Sequence, residues 1–299
     1  MGKLIRFDWA IKKLLRNKAN FDILEGFLSA ILHEEISVVT LLESESNKED
    51  ETDKFNRVDL LVENAKQELI LIEVQVEPEY DFFHRMAYGA SKLVSEYLDK
   101  GQAYKHIKKV ISANVTYFNL GIGDDYVYYG STNFVGIHTQ DTLKLSDKQV
   151  ELFGTDEVRK IFPEYYLIRV GKFPDEIHEA LDEWIYMLKH SEVKPEFTAE
   201  HIQEASERLR VMNLEEPERK AYEEYMQNVS YHESMLWSSR EEGREKGMVE
   251  GREEGRLSEK TETVRKSLQQ GLDLSIIATI TGLTVAEIQQ IQEQLQKKP

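Results

Sequence analysis

The sequence predicts an α/β protein: a mixed central sheet flanked by helices over residues 1–173, then an all-helical region over residues 174–299. Three observations carry this. Two apolar, β-branched runs, 57–63 and 68–77, are separated by the polar Asn64-Ala-Lys-Gln67, the pattern of a hairpin. Further strand-like runs alternate with stretches of helical period, which points to a sheet sandwiched by helices. From about residue 174 the periodic stretches are helical.

Apolar positions recur at helical spacing in 4–16 and 20–33. Residues 44–56 are charged and read as a loop before the hairpin. Residues 79–100 read as one amphipathic helix with the stripe Phe83, Ala87, Ala90, Val94 and Tyr97, ended by Gly101. Strands are expected at 109–118, 126–129, 134–138 and 165–170. A helix is expected over 174–188, opening with Asp175 and Glu176 in its first turn as the helix dipole prefers. Helices over 198–212 and 217–237 follow, and the stripe Tyr222, Tyr225, Tyr231 and Trp237 reads as packing rather than a base-stacking platform. In 240–260, Gly243, Gly247, Gly251 and Gly255 recur every four residues. Each costs a helix about 1 kcal/mol relative to Ala, so the strip is either a close chain-to-chain helix contact, the preferred reading, or a yielding connector. Residues 268–296, with Ala278 four before Gly282, resemble a helix-turn-helix. Its second helix offers Thr284, Glu287, Gln289 and Gln290 but no base before Lys297. Self-association or packing is therefore preferred over reading DNA in the major groove.

Chemistry concentrates on the hairpin. Side chains alternate along a strand, so Asp59, Leu61 and Glu63 share one face, and Leu69, Leu71, Glu73 and Gln75 share one face of the second run. A hairpin folded about Lys66 sets Glu63 opposite Leu69 and Asp59 opposite Glu73. A slip of one residue would separate the carboxylates onto opposite faces. Two acids facing each other across a ladder repel and lose solvation. A hard divalent cation with oxygen ligands relieves that crowding. Acids near a hairpin end also simply face solvent, and spacing alone leaves both readings open.

An Asp, a hairpin, then Glu73-Val-Gln75 at the end of an apolar strand resembles the PD-(D/E)XK nuclease core, with Gln in place of the final Lys. The wider text resembles the Rpn family of recombination-promoting nucleases and putative transposases over roughly residues 4–120. The matching segments are Phe7-Asp8 with Lys12, Phe21 to Ile31, Arg57-Val-Asp59, Ile72 to Gln75, Arg85 to Leu93, Lys100 to Tyr104, and Val110 to Tyr117. The resemblance implies a Mg²⁺-dependent (or Mn²⁺-dependent) DNA endonuclease associated with recombination, mobile elements or phage response. It implies Asp59 and Glu73 as metal ligands, with the Val74 carbonyl as a third. Gln75 cannot act as a base or carry charge but can hold a water. Asp8 and Glu25 are the candidates for a helix-borne acid that completes the site.

Composition bounds the rest. The 40% hydrophobic content suffices for a core. The absence of cysteine excludes disulfides and thiolate metal sites. No phosphate loop, His-Glu-X-X-His or Gly-X-Ser-X-Gly occurs, and the eight histidines form no ligand spacing. With no apolar run of spanning length, a soluble cytoplasmic protein without membrane contact is expected. The net charge of -17 opposes non-specific nucleic-acid binding, so its distribution matters. Residues 40–81 hold 13 acids against 4 bases, whereas 1–30 and 82–118 each hold 6 bases, against 3 and 2 acids. Arg16, Lys18, Arg85, Lys92, Lys105, Lys108 and Lys109 are the phosphate candidates, Arg85 and Lys92 foremost; ordinary solvated faces are the equal alternative. Two functions from different classes follow. One is the metal-dependent endonuclease. The other is a catalytically weak nuclease-like module for DNA binding and homo-oligomer (dimer) assembly through the C-terminal helices.

Overall fold

The computed structural model describes residues 4–42, 60–98 and 103–296. The chain forms two compact units, Met1–Arg219 and Lys220–Pro299. The first holds a six-stranded mixed sheet in the order β1-β2-β3-β4-β6-β5. Its strands are β1 (Val38–Leu42), β2 (Leu60–Asn64), β3 (Leu69–Gln75), β4 (Val110–Thr116), β5 (Val127–Gly130) and β6 (Glu164–Arg169). β3, β4 and β6 run parallel, and the flanking pairs are antiparallel. The helices of this unit are α1 (Phe7–Lys13), α2 (Phe21–Leu32), α3 (Phe82–Glu96), α4 (Asp147–Phe153), α5 (Ala180–His190) and α6 (Ile202–Arg208).

The hairpin turn sets the register on which the site depends. Asn64 Oδ1 accepts from the backbone N–H of Lys66 (3.0 Å) and of Glu68 (2.9 Å), a side-chain-mimicked turn of the kind Asn favours. Gln67 takes the left-handed conformation, φ 63°. The ladder then pairs Glu63 with Leu69, Val62 with Ile70, Leu61 with Leu71 and Leu60 with Ile72, the register that the sequence requires. Asp59 itself lies outside the described residues.

β3 is buried throughout except for Gln75, as a central strand covered on both faces must be. On one face Leu69, Leu71, Leu61 and Val110 pack against Ala90 and Leu93 of α3, and Phe82 and Met86 pack against Leu120 and Leu167. The buried stripe of α3 is therefore Phe82, Met86, Ala90 and Leu93. Of the expected stripe, Ala90, Val94 and Tyr97 join this cluster, while Phe83 and Ala87 are exposed, because the first turns of the helix present Phe82 and Met86 to the sheet instead.

Residues of opposite parity in β3 and β4 face α2 and α5. Tyr117, just beyond β4, donates its hydroxyl to Leu188 O (3.0 Å) and Tyr126 donates to Asp182 Oδ1 (2.7 Å). Phe27 of α2 meets Phe7 of α1 edge-on at 5.0 Å and packs at a tilt on Trp184 of α5 at 5.8 Å. Gly26 makes this layer possible. A Cβ there would collide with the Glu200 carbonyl and lie 3.0 Å from Trp184 Cζ2. Gly26→Ala is expected to destabilise by about 1–3 kcal/mol through overpacking, against the gain of about 1 kcal/mol that Ala normally brings to a helix. A lowered urea midpoint checks this; an unchanged or raised one contradicts it.

Several expectations are corrected. Residues 134–138 are no strand: a single bridge joins Val135 to Thr142, and the chain turns back at once, with Gly136 N–H donating to Asp141 O and Leu143 N–H to Phe134 O and Ile137 exposed. α5 begins at Ala180, not at 174. Asp175 has φ 66° and binds Lys189 and His190 at the far end of that helix, while a Glu179/Asp182 capping box starts it. The expected boundary at residue 173 moves to 219, because α5 and α6 pack on α2 and complete the first core. β1 was not anticipated; it is one of the two edge strands of the sheet.

The helix α7 (Glu216–Gln269) runs unbroken through the glycine strip. A Cβ at any of the four glycines would meet nothing within 4 Å. Tyr222 is buried, whereas Tyr231 and Trp237 are exposed; Tyr222 and Tyr231 lie nine residues apart, two and a half turns, hence on opposite sides of one helix. In the second unit the end of α7 packs with α8 (Leu274–Thr281) and α9 (Val285–Gln296) around Val264, Ile277 and Ile288, all fully buried. α8 and α9 are bent by 102° at Gly282, φ 65°, and Glu287 accepts from Thr284 N (2.7 Å) to cap α9. This is helix-turn-helix geometry. Among the described residues no single helix is long and apolar enough to cross a membrane.

Candidate active site

Among the described residues of the first unit five acids are buried: Asp8, Glu73, Glu164, Asp182 and Glu183. Most have structural partners. Asp182 accepts from Tyr126 and from the His178 N–H (2.8 Å). Glu183 accepts from the N–H groups of Thr198 (2.8 Å) and Ala199 (2.6 Å). Glu164 pairs with Lys109 at 2.7 Å. Asp8 pairs with Arg6 Nε at 3.1 Å.

Glu73 differs by position. It is 4% exposed and lies near the C-terminal end of β3, on the parallel side of the sheet. In open α/β sheets that end is where ligands bind. Its face is shared with Leu71 and Gln75, and with Ser112, Asn114 and Thr116 on β4. The parallel register sets Glu73 beside Asn114 and Gln75 beside Thr116. Gln75 is half-buried and donates from Nε2 to Glu77 O (3.2 Å). Val74 is buried and faces the other layer.

The Glu73 carboxylate is paired with the Arg85 guanidinium from the first turn of α3. Arg85 also donates to Glu79 Oε2 at 3.0 Å. Burial alone would lower the Arg85 pKa, but the charges of Glu73 and Glu79 outweigh it and the net shift is upward. Arg85 therefore stays charged.

Asn114 is fully buried. Its amide N–H₂ is bound to Ser112 Oγ (2.9 Å), Ser112 O (3.0 Å) and Tyr166 O (3.2 Å). Its carbonyl oxygen is buried with no hydrogen-bond partner. A buried acceptor left bare is costly, and this one sits one strand from Glu73. Arg169, level with Thr116, is buried and donates to Gly123 O (3.0 Å) and Asp125 O (3.3 Å), which pins the 121–125 loop beside the same end of the sheet.

The two helix-borne acids are separated by the fold. Glu25 accepts from Val38 N–H at 2.7 Å. Val38 pairs with Asn64, at the turn end of the hairpin. Glu73 is five residues further along β3 than Glu68, which lies across the turn from Asn64, so the Glu25 carboxylate is about 16 Å away along the strand direction. The structure does not bring Glu25 to Glu73. Asp8 lies at the other end. Its partner Arg6 sits 5.6 Å over the Tyr117 ring, and Tyr117 N–H donates to Gln75 O.

Most of the expected phosphate cations are engaged elsewhere. Arg85 holds Glu73 and Glu79, Lys92 lies 3.5 Å from Glu96, and Lys108 and Lys109 hold Glu63 and Glu164 at 2.7 Å each. A cleft of about 1770 Å³ opens at the turn end of the sheet, lined by Lys66, Tyr97, Lys105, Arg159 and Tyr166 among others. It lies at the opposite end from Glu73, and Lys66 and Arg159 there are paired with Glu34 and Glu157.

Sequence reasoning missed Arg85 as the partner of Glu73, since nothing local links residues twelve apart across a crossover. It also passed over Asn114. The alternation Ser112, Asn114, Thr116 within an apolar strand was the available signal.

Helices on both faces of a mixed sheet, with a buried carboxylate closing a parallel strand, make a nuclease-type α/β core. The chain belongs to the PD-(D/E)XK nuclease family transposases, whose family model matches residues 5–238. Comparison with curated proteins and with solved structures finds no match.

Among the described residues no three His, Asp or Glu side chains gather into a metal cluster. The donors present nonetheless suit a hard cation: a buried carboxylate, and a bare buried amide oxygen on the next strand.

Proposed function

We propose that the chain is a divalent-metal-dependent DNA endonuclease that hydrolyses phosphodiesters at the C-terminal end of β3, in the service of recombination, mobile elements or phage response. The observation that carries this reading is Glu73, a buried carboxylate near the C-terminal end of β3, the end of an open α/β sheet at which ligands bind. In this reading Asp59, Glu73 and the Val74 carbonyl hold Mg²⁺ or Mn²⁺. Such an ion supplies Lewis-acid polarisation and a water of lowered pKa. Glu73 supplies charge from a site where water screens little. Gln75 orients a water by hydrogen bonding and takes no proton. Asp8, at the same end of the sheet, is preferred over Glu25 as the further acid.

The second reading, a catalytically weak nuclease-like module that binds DNA and assembles, draws on Gln75 standing in the Lys position and on Arg85 occupying Glu73. Plasmid incubated with Mg²⁺ or Mn²⁺ separates them. Nicking by the parent that Asp59→Ala abolishes supports the enzyme. Retained DNA binding with no cleavage under either ion supports the module.

The proposal includes a homodimer formed through the C-terminal helices. α7 keeps four glycines that its own chain leaves uncovered, and α8 exposes Ile276 and Ile280 one turn apart, with Val285 exposed at the start of α9. Light scattering of the full chain is expected to give about twice the 34.9 kDa of one chain. Gly247→Leu with Gly251→Leu is expected to lower that mass. In a lone helix both changes would only raise helix stability, so an unchanged mass in the variant contradicts the contact.

A further inference from the structure

The forked guanidinium of Arg85 joins two acids from different segments: Glu73 on β3 through Nη2, and Glu79 in the β3–α3 connection through Nη1. Its Cζ lies 6.0 Å from the centroid of the Phe82 ring. This cation therefore sits on the carboxylate that the proposed chemistry needs for a divalent ion. From the geometry we infer that Arg85 is the resident counter-ion of the metal-free site and competes with the divalent ion for Glu73. The inference rests on the reading of Glu73 as a metal ligand and adds to it a built-in restraint.

The physical argument has three parts. A buried, ionised Glu73 without a partner would be strongly unfavourable, so the metal-free protein needs a cation there. Arg85 and a divalent ion repel one another at contact distance, so both cannot share the oxygen that Arg85 now holds. Glu79 gives Arg85 a second anchor, so it can yield Glu73 without becoming an isolated charge. The fraction of molecules with Glu73 open then scales down the apparent metal affinity. The site stays closed at low metal and opens when the ion, with the phosphate it carries, outbids the guanidinium.

The test uses the full chain and Mn²⁺ titrated calorimetrically without DNA, with melting temperatures recorded in chelator and in excess Mn²⁺. Arg85→Met is expected to bind Mn²⁺ about tenfold more tightly than the parent. Its melting temperature should fall in chelator and recover on Mn²⁺ by more than the parent's rises. Arg85→Lys separates competition from the general field, because it keeps the charge but cannot fork between two acids. A severalfold tightening in Arg85→Lys supports the inference, and it also serves if Arg85→Met fails to fold. Unchanged or weaker Mn²⁺ binding in a folded Arg85→Lys overturns it, while Mn²⁺ binding by the parent that Glu73→Gln abolishes keeps the metal reading standing. Absence of saturable binding in parent and both Arg85 variants overturns the metal reading itself and the competition with it.

Discussion

Glu73→Gln is expected to lower plasmid nicking by about 1,000-fold or more, since a Lewis-acidic ion held at the reacting phosphate contributes several kcal/mol and each 1.36 kcal/mol is a factor of ten. The change keeps the size of the side chain and removes only its charge. Arg85 retains Glu79 and is partly solvated, so the variant should fold. Circular dichroism matching the parent, alongside lost cleavage, is the expected pair of results. Residual nicking above about a tenth of the parent's would remove Glu73 from the chemistry, because loss of a direct metal ligand costs far more than one decade.

Trp184→Ala is expected to destabilise the first unit by about 3–5 kcal/mol, the range for deleting a buried Trp. Trp184 is fully buried, lies against Phe27 at 5.8 Å, and fills the space that Gly26 leaves open. It is the joint between α2 and α5. Domains of this kind have about 5–15 kcal/mol in total, so the urea midpoint measured by circular dichroism should fall by a large fraction. A loss under about 1 kcal/mol would mean that the α2–α5 layer is not part of the cooperative core.

Much of the sheet was legible because β strands announce themselves by burial on both faces. Residues 69–75 are an almost unbroken apolar run, and the lone acid in it, Glu73, stood out for that reason. The hairpin register was legible because Asn64 and Gln67 are turn residues between runs of matched parity. The edge strand β1 was not. Val38–Leu42 is short, and its pairing partner lies beyond a long charged segment. The α3 stripe was legible in its second half, Ala90, Val94 and Tyr97, and misplaced at Phe83 and Ala87, because only docking on the sheet selects Phe82 and Met86 in the first turns. Glu25 looked as suited as Asp8 to complete the site. The fold separates them, since α2 delivers its acid to Val38 at the turn end.

Sequence alone determined the strand pair, the acids it carries, the lack of thiol chemistry and the absence of sheet strands among the described residues past Ala180. These follow from local patterning, in which parity and the 3.6-residue period assign each side chain to a face. Tertiary structure alone decided that Arg85 sits on Glu73, that Asn114 leaves a bare oxygen one strand away, and that the lysines 108 and 109 serve acids of the sheet rather than standing free. Those partnerships join residues through a parallel crossover, and the geometry of a crossover is set by packing of the whole helix on the whole sheet rather than by any neighbour in the chain.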